Sequence, residues 1–152
     1  MRPLAKPLQF ASGMKTSTLI GRVLFSLIFI FAAFGHFKPE TITYAASAGV
    51  PLAKLAVPAS GILSLAGGLS ILLGYRAKLG AWALVVFLVP VTVTLHNFWT
   101  VTDPMMRQMQ MVMFMKNLGL IGGALMFAVH GAGAYSLDAR TERVAYPATG
   151  AA

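Results

Sequence analysis

The sequence predicts an all-α protein, a polytopic membrane four-helix bundle, on three observations. Hydrophobic residues make up 57% of the 152, charged residues only 11%, and mean hydropathy is +0.75, whereas soluble chains carry about 25% charged residues. Four apolar runs, residues 19–35, 58–74, 79–95 and 109–129, each approach the ~20 residues that cross a ~30 Å hydrocarbon core as helix. Helix is the expected element because lipid offers no partner to an unpaired backbone N–H or C=O. So little chain lies outside these runs that a separate soluble domain has no room.

The formal charge of +8 reads as topology rather than nucleic-acid binding, since no basic run or aromatic-interleaved patch exists. With the N-terminus inside, the inner segments hold Arg2, Lys6, Lys15, Arg22, Arg76, Lys78, Arg140 and Arg143. The outer ones hold Lys38, Lys54, Arg107 and Lys116, two of them beside Glu40 and Asp103. That bias places both the N- and C-termini in the cytoplasm. A signal peptide within residues 1–33 is the rival reading. Its apolar run is long for an h-region, and no clean cleavage site follows. Absence of cysteine excludes disulfides, iron–sulfur or thiolate zinc ligation and thiol redox chemistry by this chain.

Residues 1–16 read as a basic, loosely ordered cytoplasmic tail that sets topology, with some attraction for anionic headgroups. The first helix, 17–37, is apolar on every side and ends in Gly35-His36-Phe37-Lys38. Pro39-Glu40-Thr41 suits a helix start, and about two turns run to a stop at Gly49. This predicts a short interfacial helix between helices one and two, lying across the outer mouth with Tyr44 at headgroup level. The second helix, 58–74, opens at Pro58 and carries Ser60, Ser64 and Gly68 at i, i+4 and i+8, with Gly61 and Gly67 alongside. Such small residues let helices approach closely in a membrane.

Gly74-Tyr75-Arg76-Ala77-Lys78 reads as a tight cytoplasmic turn. The third helix, 79–98, has Trp82 near the inner interface, a kinking Pro90, and His96-Asn97-Phe98-Trp99 at its outer end. The fourth, 109–130, ends in His130-Gly131-Ala132-Gly133, which closes a transmembrane domain of residues 17–133. In the cytoplasmic tail, 134–152, Ser136 or Asp138 can cap one short helix through Arg143, with disorder from Pro147 onward. An echo between LAGGLSIL and LIGGALMF rests on one glycine pair and does not establish a repeat.

Lys116 raises the functional question. An ionisable group inside a span costs at least ~2.5–3.5 kcal/mol on insertion scales, so it needs a partner, a route to water or a role. Gly119 and Gly123 lie three and seven residues on, which puts Lys116 on a small-residue face turned toward the other helices. It sits roughly 10 Å below Met109, at a depth comparable to Ser60 and Ser64. Its expected partners are those hydroxyls, Asn117, or an anionic or quinone oxygen. Two other placements stay open: a buried, purely structural lysine, or one snorkelling to the headgroups.

His96 and Asn97 end the third helix on the same outer side as His36. With Asp103, Gln108, Gln110 and Lys116 they can rim one pocket, where a histidine could pass protons during quinone turnover. The competing reading is ordinary interfacial hydrogen bonding, and His130, at the opposite end, reads as interfacial only. The ligand-binding candidates are therefore Lys116, Asn117, His96, Asn97, Ser64, Ser60 and His36, with no catalytic residue and no metal site assigned. Met105, Met106, Met109, Met111, Met113 and Met115 could suggest copper(I), but methionine fills membrane packing gaps and these sulfurs spread around the helix. Paired haem histidines fail because two lie at the outer interface and the third lies across the membrane. No acid lies in a span, and no nucleophile elbow, P-loop or dinucleotide fingerprint is present, which argues against catalysis by this chain alone.

Several stretches occur in a familiar order: Gly21-Arg22, Gly35 through Pro39, Ala48-Gly49-Val50-Pro51, Ala66-Gly67-Gly68 with Leu72-Leu73-Gly74, His96-Asn97-Phe98-Trp99, Met115-Lys116-Asn117-Leu118, and residues 131–138. In these the chain resembles the DoxX family of small four-helix bacterial membrane proteins. It departs at His36, a lysine in many of that family, and at Ser64, an intramembrane glutamate in many. The resemblance implies a multi-pass protein of the bacterial cytoplasmic (inner) membrane. It further implies a subunit of a quinone- or sulfur-linked redox system, at most a non-autonomous part of a membrane oxidoreductase. Such a subunit would bind a quinone or small molecule in the outer pocket, with no covalent cofactor. The alternative is a non-catalytic scaffold or assembly factor; a transporter is the weakest reading. Expected partners are the lipid bilayer, another membrane or periplasmic protein, and a second copy if the chain self-associates; nucleic acid is not among them.

Overall fold

The computed structural model describes the backbone of residues 7–145 and the side chains of residues 13–141. It contains α1 (Pro7–Gly35), α2 (Pro39–Ser47), α3 (Ala53–Leu73), α4 (Ala77–Leu95), a 3-10 turn (Phe98–Thr100), α5 (Pro104–His130) and α6 (Leu137–Ala145). Four of these segments are long and apolar enough to cross a membrane: Gly13–Gly35, Ala53–Leu73, Ala77–Thr100 and Pro104–His130. The all-α bundle is as expected, with α2 as the short helix between the first two spans. α1 packs on α3, α3 on α4, and α4 on α5. An even number of spans returns both ends of the described chain to one side, the terminal end. α2 and the 3-10 turn lie at the other, the loop end.

Glycines set how close the helices come. A Cβ on Gly61 would lie 2.7 Å from the His36 Cβ, and one on Gly67 would lie 2.6 Å from Leu84 Cδ2. Around these approaches Phe29, Ile71, Leu84, Leu88 and Ala124 form the main core. Ala45, Ala53 and Val57 form a smaller one beneath α2. Large apolar side chains also point outward, among them Phe31, Ile62, Val86 and Met126, as a helix bathed in lipid requires.

Helix boundaries differ from the sequence reading for local reasons. α1 begins at Pro7, so residues 7–16 extend the helix instead of forming a loose tail; proline at a first helical position forfeits no bond. Residues 1–6 lie outside the described residues. α3 begins at Ala53, with Pro58 inside it, because burying Ala53 and Val57 against Ala45 rewards the extra turn. α4 stops at Leu95 rather than continuing to 98, and the chain goes on as the 3-10 turn. α5 begins at Pro104: Asp103 Oδ1 accepts from Met106 N at 2.8 Å, an N-cap followed by proline.

The tail folds back over the terminal end. Asp138 accepts from Arg76 N at 2.8 Å and from Ala77 N at 3.0 Å, so it caps α4. Ser136 Oγ accepts from Ala139 N at 3.1 Å and caps α6. Two residues expected as alternative caps of one helix thus cap two different helices. The Arg143 side chain and everything from Pro147 lie outside what is described.

Candidate functional site

The predicted site residues divide into two polar networks at the loop end and two isolated groups deeper in the bundle. His36 closes α1 half-buried, its Nδ1 3.5 Å from Ser60 Oγ and its ring 5.5 Å from the Phe87 ring. The Ser60 hydroxyl already donates to Val57 O at 2.7 Å. His36 must therefore supply the proton of the longer contact, which leaves its Nε2 as an acceptor. Burial holds the His36 pKa below its ordinary 6.5, because the imidazolium loses hydration there.

The second network joins three elements. His96 Nδ1 lies 2.7 Å from Gln110 Oε1, Gln110 Nε2 lies 3.1 Å from the Tyr44 hydroxyl, and that hydroxyl lies 3.5 Å from Leu95 O. An accepting Oε1 requires the proton on His96 Nδ1. α4, α5 and α2 are tied together by this chain of bonds. Asn97 serves the turn: its carbonyl accepts from Thr100 N at 3.0 Å and Thr100 Oγ1 at 2.9 Å. Phe98 and Trp99 pack edge-on to Phe114, centroids 5.5 and 5.7 Å away, and clip the turn to α5.

Asn117 and Ser64 are the deeper groups. Ser64 is fully buried and donates to Phe29 O at 3.1 Å, so its hydroxyl fastens α3 to α1. Asn117 is 4% exposed, on the α5 face that also buries Ala124 and Ala128. Its amide makes no hydrogen bond to any described residue. The fully enclosed side-chain atoms left without a partner among the described residues are Arg22 Nε and Ser26 Oγ, so the Asn117 amide, lacking a bond yet not among them, is reachable from outside the helix packing.

Lys116 does not face the bundle. It is exposed, and a Cβ on Gly119 would meet nothing within 4 Å. Only Gly123, further down the same stripe, meets α1: its Cβ would lie 2.7 Å from Phe25 Cε2. One residue is a turn of about 100° on a helix, so burying Asn117 swings Lys116 outward. The expected pairing of Lys116 with Ser60 or Ser64 is therefore not made. Its Cβ leans toward the helix N-terminus, here the loop end, which fits the snorkelling placement.

Asp103 is engaged as a cap, and Gln108 is exposed. The expected single rim is thus two networks, with Gln110 and Tyr44 as members whose role the sequence reading underrated. Their signal was the short connection between α4 and α5, which puts His96 opposite Gln110. Among the described residues no three His, Asp or Glu side chains gather into a metal-binding group.

The chain matches the SURF4 family over residues 12–144. Inner membrane protein YphA of Escherichia coli (strain K12) is 29% identical over 133 residues, 86% of this chain and 94% of that one. Inner membrane protein YqjF of the same organism is 32% identical over 122 residues, 79% of this chain and 88% of that one. No solved structure matches the chain. These matches overturn the resemblance to the DoxX family. Glycine pairs, Gly-Val-Pro turns and aromatic helix ends answer demands of close packing and membrane boundaries that many small helical membrane proteins meet alike. With four membrane-crossing helices and inner-membrane relatives, the chain is a multi-pass protein of the inner membrane. By a match that runs through every span, it belongs to the SURF4 family.

Proposed function

We propose that the protein is a non-autonomous membrane subunit that holds a quinone or similar carbonyl-bearing small molecule between its helices, toward the loop end. Asn117 carries this reading. The residue is 4% exposed within a span, its amide makes no hydrogen bond to a described residue, and its amide atoms are not among the fully enclosed ones, so a neighbouring molecule can reach them. A polar group in hydrocarbon costs about 1–3 kcal/mol unless something supplies the bond. A ligand carbonyl would accept from that amide, while the apolar ring and tail replace lipid against the helices. His36, nearer the loop end and with Nε2 left as an acceptor, is the group suited to a quinol hydroxyl. Any electron carrier would belong to a partner protein, and no redox step is assigned to this chain. Extraction and ultraviolet spectra of the gently solubilised protein test the idea. Wild type should retain a quinone and Asn117→Leu should lose it; full retention in that variant overturns the reading.

A second reading, a scaffold for another membrane protein, draws on the outward face of α5. Lys116, Gly119 and Gly122 are exposed there, and a Cβ on either glycine would meet open space. It predicts one stoichiometric partner in a pull-down, lost in Lys116→Leu while quinone content is unchanged.

A further inference from the structure

A second site lies at the terminal end, away from the residues just described. A cavity of about 850 Å³ opens there, walled by Arg76, Lys78 and His130 and floored by segment 131–136. Behind the floor sits Arg22, 4% exposed, its Nη1 and Nη2 donating to Ala132 O at 3.0 Å and Tyr135 O at 2.7 Å. Among the described residues the Arg22 Nε has no partner, nor has the fully buried Ser26 Oγ one turn along α1. A buried guanidinium without a carboxylate is costly. Asp138, the carboxylate at the cavity, already accepts from Arg76 N and Ala77 N. Neither Arg76 nor Lys78 forms an ion pair with a described residue. Among the described residues the cavity carries two cationic side chains, Arg76 and Lys78, against the one carboxylate of Asp138, with the Arg22 guanidinium behind, so positive charge is in excess.

What neutralises it is indicated by the surface running away from the cavity. Tyr75 and Leu79 stand exposed at the mouth, and Leu79, Trp82 and Val86 continue along α4 at i, i+3 and i+7, all more than half exposed. That is one apolar track leading from the basic cavity into the hydrocarbon, with an aromatic at the interface. We propose that the cavity binds the phosphodiester headgroup of an anionic phospholipid, whose acyl chain lies along this track. Charge bias assigns this end to the cytoplasm, where anionic headgroups and basic clusters meet.

The full chain in neutral detergent, titrated with phosphatidylglycerol or phosphatidylcholine of the same acyl chains, tests this by native mass spectrometry and thermal melting. Phosphatidylglycerol should be retained and should raise the melting temperature; phosphatidylcholine should do neither. Arg76→Gln with Lys78→Gln should weaken phosphatidylglycerol binding about 25-fold, at roughly fivefold per charge near the surface. Lys78→Gln alone should give about fivefold, which keeps the test open should the pair fail to fold. Lys15→Gln, an equal charge loss at the same end but outside the cavity, should leave binding unchanged. Equal binding of both lipids, or an equal loss in Lys15→Gln, overturns the proposal. Displacement of the lipid by millimolar inorganic phosphate marks a free-anion site and overturns the lipid assignment.

Discussion

Arg22 donates from Nη1 to the carbonyl of Ala132, 110 residues later in the chain, at 3.0 Å, while Nη2 reaches Tyr135 O at 2.7 Å. One planar fork thus holds the chain leaving the last span against the first span. Methionine at position 22 would fill similar space and leave both carbonyls without a donor, at about 1–3 kcal/mol for each that stays buried. Arg22→Met should lower thermal stability in detergent and speed proteolysis within segment 131–136. Arg22→Lys should recover only part, since an ammonium lacks the fixed geometry of the fork. Unchanged melting and cleavage in Arg22→Met would show that the clamp does not hold the tail.

Gly74 is where that tail crosses the α3–α4 turn. Its φ is +65°, and an added Cβ would fall on the Ser136 side chain and within 3.0 Å of both Ala132 Cβ and Arg22 Nη1. The left-handed conformation alone costs a residue with a side chain about 1–2 kcal/mol. Gly74→Ala should therefore destabilise by at least about 2 kcal/mol. Ser136→Gly should relieve part of this, because glycine remains a tolerable N-cap. A double-mutant cycle should show favourable coupling of about 0.5 kcal/mol or more, and strict additivity would place the clash elsewhere.

The spans were legible because lipid imposes length and composition directly: each apolar run had to be a helix of about 20 residues. Boundaries were less legible where punctuation has two meanings. Pro58 looks like a helix start and sits inside α3, whereas Asp103-Pro104 was a readable start that the apolar run from 109 masked. Lys116 was read onto the inward face of α5, and the packing turns it outward. Periodicity in a lipid-facing helix is weak, since apolar residues cover both sides, so the glycine stripe carried the orientation. The packing instead buries Asn117 and exposes Lys116. Arg22 was counted as a topology charge because no local pattern foretells carbonyls 110 residues away.

His36 should make stability depend on pH. Burial depresses its folded-state pKa below 6.5, so over an interval below that value the unfolded chain binds a proton that the folded chain does not. Stability then rises with pH. It should be level above about pH 7 and fall as pH drops through about 6.5 toward the lower, folded-state value. Melting temperatures in detergent across that range check the sign. His36→Gln, neutral throughout, should flatten the profile, and an unchanged slope in that variant would assign the dependence to another group.

Asn117 and Lys116, adjacent in sequence and opposite in exposure, separate binding from insertion. Asn117→Leu should stabilise the ligand-free protein by about 1 kcal/mol, by removing from the span a polar group that no described residue hydrogen-bonds. The same change should abolish quinone retention, a trade of function for stability. Lys116→Leu should also ease insertion, because a charge at the helix centre costs ~2.5–3.5 kcal/mol on translocon scales, yet retain the quinone in full. Melting of lipid-stripped protein and quinone content, measured on both variants, distinguish the roles. A destabilised Asn117→Leu would mean that the protein itself satisfies the amide. Loss of quinone in Lys116→Leu alone would move the site to the outer face of α5, where Gly119 and Gly122 leave room for it.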